Sequence, residues 1–224
     1  MKICTKISRA FHVPSSDKYK LTFIHIPKNA GTSAVDYLGM ENLGHFHWTH
    51  YQDSEYKKIA IVRNPWDRFV SCYEYAKMKK SLYHSADGNA KEGKHHDYDR
   101  LRDSSFEQCV TFAKGSCLGF FRNSFKNGII TLETFPQPLR HQGWLPQSYW
   151  IYKGDELMVD KVIKQEEISD PEKGLPSVIK TDAPIPVTNP STRKRDYKEY
   201  YNEETKKAVG DIYEVDIKNF GYEF

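Results

Sequence analysis

Three groups of residues in this chain have types and spacings that can do chemistry. The first is the run Pro27, Lys28, Asn29, Ala30, Gly31, Thr32 and Ser33: a cation, a residue tolerant of tight turns, a glycine and two hydroxyls. Such a run suits an anion. Unpaired backbone N–H groups at a helix start point outward, the helix dipole adds about half a positive charge, a glycine admits close approach, and Lys28 supplies a full charge. Taken alone it is equally an ordinary strand-to-helix turn with a solvated lysine. The second group is Arg63 with Ser71, eight positions on. An arginine binds phosphate bidentately and a serine hydroxyl adds a hydrogen bond, although each is also at home as a surface arginine and a neutral helix serine. The third is the stretch Gly39 to Tyr56, where His45, His47 and His50 stand among Phe46, Trp48 and Tyr51. An imidazole titrating near pH ~6.5 can take a proton from a hydroxyl. The same rings can fill an aromatic layer, and no accompanying ligand motif points to a metal.

The elements around these groups are specified locally. Leu21 to Ile26 is an apolar, β-rich run, Pro27 turns it, and from Thr32 a short helical pattern places Val35 and Leu38 on one face. Ile59 to Val62 has the continuous apolar character of a buried parallel strand. Asn64, Pro65 and Asp67 then give a helix N-cap, a first-turn proline and an acid at the third helical position. Trp66, Phe69, Val70 and Tyr73 lay an apolar stripe along that helix. Arg63 is thereby expected at the carboxyl end of a strand, where open α/β sheets collect their ligands. The loop at Lys28 lacks the second glycine and the lysine directly before Ser/Thr that nucleotide triphosphate loops use, which weakens a kinase or ATPase reading.

The order Lys28, two residues, Gly31, Thr32, Ser33 resembles the 5′-phosphosulfate loop of sulfotransferases that use 3′-phosphoadenosine 5′-phosphosulfate (PAPS). IVRNPWDRFVS resembles the 3′-phosphate motif of the same family, with Arg63 and Ser71 in its two contact positions. The RNPWDR form, the short chain and the ending DIKNFGYEF are similar to the carbohydrate sulfotransferases of the Golgi type and their soluble relatives. The similarity covers Leu21 to Tyr75 and Gln142 to Phe224 and leaves the middle unassigned.

The resemblance implies a three-layer, P-loop-like α/β domain with a central, mostly parallel sheet flanked by helices. It implies PAPS as donor, Pro27 to Ser33 on the 5′-phosphosulfate, and Lys28 at the leaving oxygen. Arg193, Lys194 and Arg195, in the densest basic cluster of the chain, correspond to the loop that closes over the 3′-phosphate before the final helix. The acceptor is expected to be a hydroxyl, preferably on a glycan, with His45, His141 and Gln147 on the substrate side. The base is expected from the segment between the two cofactor motifs: His50 first, then His47 and His45. Glu166 or Glu167, after a late strand, is a further candidate for the cleft.

Length and composition bound these expectations. At 224 residues with 38% hydrophobic content, one sizeable core and a single domain are expected. A net charge of +3 is too mild for a nucleic-acid binder but leaves room for local basic pockets. No run of about 18 apolar residues occurs and the first residues lack a signal-peptide core, so a soluble, unexported chain is expected, with a Golgi lumen location only for a piece trimmed from a longer chain. Four cysteines without CxxC spacing speak against zinc and leave a Cys109–Cys117 bridge open. Ser81 to Ser105 reads as a flexible insertion, Asp170 to Pro190 as a proline-rich connecting loop, Ser148 to Tyr152 as a strand, and the residues after Tyr201 as a packed closing helix. Two other functions fit the same elements: a nucleotide-dependent phosphotransferase, and a catalytically idle nucleotide- or glycan-binding protein.

Overall fold

Two strands with nearly unbroken apolar sequence set the architecture, because such strands are stable only when covered on both faces. The computed structural model describes residues 13–52, 54–79, 81–84, 90–93, 95–114, 139, 141–181, 183–185 and 195–224. In chain order these form strands β1 (Ser15–Ser16) and β2 (Leu21–Ile24), helix α1 (Gly31–Tyr37), strand β3 (Lys57–Val62), helix α2 (Pro65–Ala76) and strands β4 (Ser81–His84) and β5 (Ala90–Gly93). Helices α3 (Tyr98–Leu101), α4 (106–114) and α5 (Gln147–Ile151) follow, then strands β6 (Tyr152–Lys153), β7 (Glu156–Leu157) and β8 (Lys161–Lys164), and helices α6 (Leu175–Ile179), α7 (Glu203–Ile212) and α8 (Glu214–Phe220).

The central sheet has the order β1-β2-β3-β8. β1 is antiparallel to β2, and β2, β3 and β8 are mutually parallel, with Phe23 opposite Ile59 and Ile61 opposite Ile163. Strand alternation separates the faces. Leu21, Phe23, Ile59, Ile61 and Ile163 pack on Ala34, Val35 and Leu38 from the α1 segment and on Leu175 of α6. Ile24, Ala60 and Val62 pack on Trp150 and Ile151 of α5 and Phe220 of α8. The result is helix, sheet, helix, the expected three-layer α/β arrangement. A further core joins Trp66, Phe69 and Tyr73 of α2 to Phe106 and Val110 of α4 and Val209 and Ile212 of α7.

Two consequences matter for the site. The loops that leave β2 and β3 start from adjacent parallel strands and so lie side by side at the carboxyl edge of the sheet. The second loop is short because Asn64 caps α2 at once, its side chain accepting from the N–H groups of Trp66 and Asp67 with Pro65 in the first turn.

Several expectations are corrected. Ser148 to Tyr152 is not a strand: α5 occupies Gln147–Ile151, because the buried Asp216 carboxylate accepts the N–H groups of Gln147 and Ser148 and caps the first turn, outweighing the β-prone aromatic sequence. The segment Ser81 to Ser105, read from sequence as an insertion with no elements assigned, contains the β4–β5 hairpin and α3. Within the proline-rich stretch Pro176 sits in the first turn of α6, the one place a helix accepts it. The closing helix is two helices broken at Tyr213, the first begun by a reciprocal capping box between Asn202 and Thr205. Cys109 is fully buried, while Cys117 lies outside the described residues. Among the described residues no helix is long and apolar enough to cross a membrane.

Candidate active site

The loop after β2 takes a shape its sequence does not favour. Lys28 and Ala30 both have left-handed backbone, at φ 69° and 56°, which costs a non-glycine residue about 1 kcal/mol or more and persists only where the surroundings enforce it. Three side chains do so. Arg68, 1% exposed, donates from Nε to the Pro27 carbonyl (3.0 Å) and from Nη1 to the Leu145 carbonyl (2.8 Å). Arg63 Nη1 donates to the Lys28 carbonyl at 3.1 Å. Asn29 turns inward and donates from Nδ2 to the Ile61 carbonyl and to Gln147 Oε1, both at 2.8 Å. The role of Gly31 is also set by packing: a Cβ there would lie 1.9 Å from the His25 ring, so the glycine lets that imidazole lie beneath the loop.

Gln147 ties this loop to the one after β3. Its Oε1 also accepts the N–H of Arg63 (2.8 Å), and its Nε2 donates to the Arg63 carbonyl (2.9 Å). Asp216 of α8 anchors Gln147 in turn through the backbone N–H at 2.7 Å. Burial pushes the Asp216 carboxyl pKa up, and the N–H groups of Gln147 and Ser148 oppose that shift. The network is completely buried, where each polar group has to find a partner.

Lys28 is the electrostatic centre. Its Nζ stands 3.6 Å above the centroid of the Tyr75 ring, a cation–π contact. Burial lowers its pKa to about 8, with the Cys72 sulfur raising it and the Arg63 and Arg68 guanidinium groups lowering it further. The Cys72 thiol is itself pushed up by burial and so is neutral at pH 7, which leaves the cations in control. Arg63 keeps one carboxylate, Asp67, at 2.7 Å. Ser71 lies on the same face of α2, one turn beyond Asp67.

The imidazoles differ in which nitrogen carries the proton, as their hydrogen bonds reveal. His45 Nδ1 lies 2.7 Å from the His25 carbonyl, an acceptor, so His45 is the Nδ1–H form with the lone pair on Nε2. His50 Nδ1 meets the His47 carbonyl at 3.1 Å in the same way, with its ring against Phe46. His47 Nδ1 instead accepts the Thr49 N–H, and its ring packs on Tyr149 at 4.7 Å. Burial lowers the His47 pKa to about 4, against a backbone hydrogen bond at Tyr149 that raises it. His45 makes an edge contact of 4.2 Å with the His25 ring beneath Gly31. His141 caps the short turn Gln142–Trp144, and its pKa is held well down by burial and by His95, His45, His96 and Lys28, in that order.

The structure therefore brings Lys28, Arg63, His45 and His141 into one electrostatic neighbourhood and puts Gln147 inside the protein between the two motifs. His50 and His47 sit on the Phe46 and Tyr149 side. Arg195 stacks on the Tyr200 ring at 3.8 Å, while Arg193 and Lys194 lie outside the described residues. Glu166 binds the Asn64 N–H at 2.7 Å and the Tyr222 hydroxyl at 3.0 Å, and so braces the α2 start. Arg68, Tyr75 and Asp216 are contributors the sequence reading missed. A signal existed for two of them: Arg68 and Cys72 share a buried helix face four residues apart, and Asp216 falls in the stripe Ile212, Asp216, Phe220.

Among the described residues no group of His, Cys, Asp and Glu can hold a metal ion. No curated protein and no solved structure matches the chain. The model of the sulfotransferase family matches residues 41–223, a span that holds Arg63, Ser71, Gln147 and Asp216 and begins after the Lys28 loop. With more than half of its length matched, the chain belongs to the sulfotransferase family.

Proposed function

We propose that this sulfotransferase takes its sulfuryl group from PAPS and delivers it to a hydroxyl on a carbohydrate, with Lys28 at the leaving oxygen and a histidine as base. The observation that carries the donor reading is the charge around Lys28. Three cationic side chains, Lys28, Arg63 and Arg68, act on one another in a buried site, and Arg68 Nη2 makes no hydrogen bond among the described residues. A phosphosulfate is an anion of the size and charge that relieves this repulsion.

PAPS, when bound, supplies an activated sulfuryl group whose transfer needs acceptor and leaving oxygens in line, with charge growing on the leaving side. Lys28 meets that charge with an ammonium fixed in a low-dielectric setting, the kind of preorganised group that contributes most to rate. Arg63 and Ser71 hold the 3′-phosphate, and the backbone of residues 29–33 the 5′-phosphate. Of the three imidazoles between the motifs, His45 fits the base best. Its Nδ1–H is committed to the His25 carbonyl, so Nε2 is the basic nitrogen, and it shares the electrostatic neighbourhood of Lys28. His50 has the same proton arrangement and is the second choice. Arg193, Lys194 and Arg195 complete the nucleotide site in this reading.

Titration calorimetry with 3′-phosphoadenosine 5′-phosphate (PAP) beside ATP and AMP tests the donor. Selective binding that is indifferent to magnesium and lost in Arg63→Ala is the expected result, followed by transfer of labelled sulfate to glycan acceptors. Preference for ATP, or transfer only to non-carbohydrate hydroxyls, overturns the corresponding half of the reading.

A further inference from the structure

His95 and His141 have no part in the mechanism above, yet the backbone fixes both in the same protonation form. His141 Nδ1 accepts the N–H of Gly143 at 3.0 Å, and His95 Nδ1 accepts the N–H of Asp97 at 3.1 Å. Gly143 is what permits the first contact: a Cβ there would lie 2.6 Å from that nitrogen. A neutral imidazole whose Nδ1 accepts carries its proton on Nε2, so each ring offers an Nε2–H donor and neither is available as a base. Neither Nε2 makes a hydrogen bond among the described residues.

The two donors stand together beside the reactive lysine. Their rings are 4.4 Å apart, and Tyr75, whose face carries Lys28 Nζ at 3.6 Å, lies 5.3 Å from the His95 ring. Asp97 is the carboxylate that could protonate the pair, with Oδ2 at 4.0 Å from His95 Nδ1. That oxygen is already occupied by the N–H of His141 (3.1 Å) and by Trp144 Nε1 (2.9 Å). Burial, His96 and Lys28 keep His95 neutral against Asp97, and burial leads the same effect at His141.

We propose that His95 and His141 form a two-donor seat for the non-bridging oxygens of the sulfonate during its transfer. The inference rests on the PAPS reading of the site. In the step itself the bond from sulfur to the phosphate oxygen breaks, a bond from sulfur to the acceptor oxygen forms, the acceptor proton goes to the base, and the seat exchanges no proton. Fixed neutral donors suit this task, because they hold the sulfonate without trapping it as a second ion pair beside Lys28 would.

The test exploits the difference between PAPS and PAP, which lacks the sulfonate. His95→Asn and His141→Asn each keep a side-chain oxygen where Nδ1 stands, able to accept the same backbone N–H, but lose the Nε2–H. His141→Gln does the reverse and restores an N–H near the Nε2 position. Loss of one hydrogen bond to a charged group corresponds to about a tenfold or greater weakening. Each Asn variant is therefore expected to bind PAPS about tenfold more weakly and PAP as the parent does, with kcat reduced and PAPS preference recovered in His141→Gln. Equal losses for PAP and PAPS, or unchanged PAPS binding and turnover, overturn the seat. If the parent protein binds neither nucleotide, the PAPS reading falls and the seat with it, a result distinguishable because it precedes any variant.

Discussion

Replacing Gln147 by leucine tests whether the buried polar network, and not the apolar core alone, holds the two motifs in register. Leucine is close to glutamine in volume, although it branches one carbon earlier, and as an apolar residue it belongs in a site with no exposure. The substitution removes four hydrogen bonds, two of which have alternatives: Asn29 Nδ2 keeps the Ile61 carbonyl, and Asp216 keeps the N–H groups of residues 147 and 148. The N–H and the carbonyl of Arg63 each lose the buried partner Gln147 gives them. Each such orphan costs roughly 1–3 kcal/mol, so the pair costs about 2–6 kcal/mol. At this chain length each kcal/mol moves the melting temperature by roughly 2–4 °C, which makes a fall of about 4–24 °C. PAP affinity should fall as well at a temperature where the variant is folded, because Arg63 and the Lys28 carbonyl it binds are no longer fixed together. Thermal unfolding by circular dichroism and calorimetric titration read the two effects. A variant that melts within about 1 °C of the parent and binds PAP normally would refute the reasoning, since the orphaned Arg63 groups must then have found water or new partners at no cost.

Two further outcomes follow from the electrostatics. Lys28 loses its proton around pH 8 in the free protein, so affinity for PAP should be level below about 8 and decline as pH rises above it, a decline absent from Lys28→Met; calorimetry from pH 6.5 to 9.5 measures it, and parallel curves would remove Lys28 from the site. His47 and His95, both lowered to about 4, bind fewer protons folded than unfolded at intermediate acidity. Their contribution to stability is therefore complete above the unfolded pKa of ~6.5 and is lost as pH falls toward about 4. Asp216, raised by burial, works in the opposite direction, but chiefly near and above the ordinary carboxylate range. Denaturant midpoints at pH 7 and pH 5 should differ in the parent and differ less in a His47→Asn, His95→Asn double variant.

The parallel sheet and the two loops at its carboxyl edge were legible because their signals are local. An apolar run, a turn residue and a cap at Asn64 specify β3, the Arg63 turn and α2 without reference to anything distant. The strand expected at Ser148 to Tyr152 failed for the opposite reason. Its conformation is decided by a carboxylate 68 residues away, and no window on Ser148 contains Asp216. The role of Gln147 shares that origin: the resemblance to relatives with a glutamine before a strand implies a ligand contact, and only the folded neighbourhood shows it enclosed by Asn29, Arg63 and Asp216. The hairpin β4–β5 has a polar sequence without a clear period, so nothing in its pattern announces it.

The histidines mark where residue type stops being informative even when position is known. The chain has nine, and sequence can rank them only by distance from the motifs. In the proposed assignment, what separates the base from the donors is a single contact at Nδ1: a carbonyl at His45, a backbone N–H at His141 and His95. Each contact is made by backbone whose path is set by turns, the His25 carbonyl at the end of β2 and the N–H groups two residues beyond His95 and His141. The proposed assignment of base and donors thus rests on loop geometry, set by backbone groups outside the imidazoles themselves. A substitution that repositions the His25 carbonyl should then abolish proton transfer while leaving His45 in place, as measured by kcat falling with PAP affinity intact.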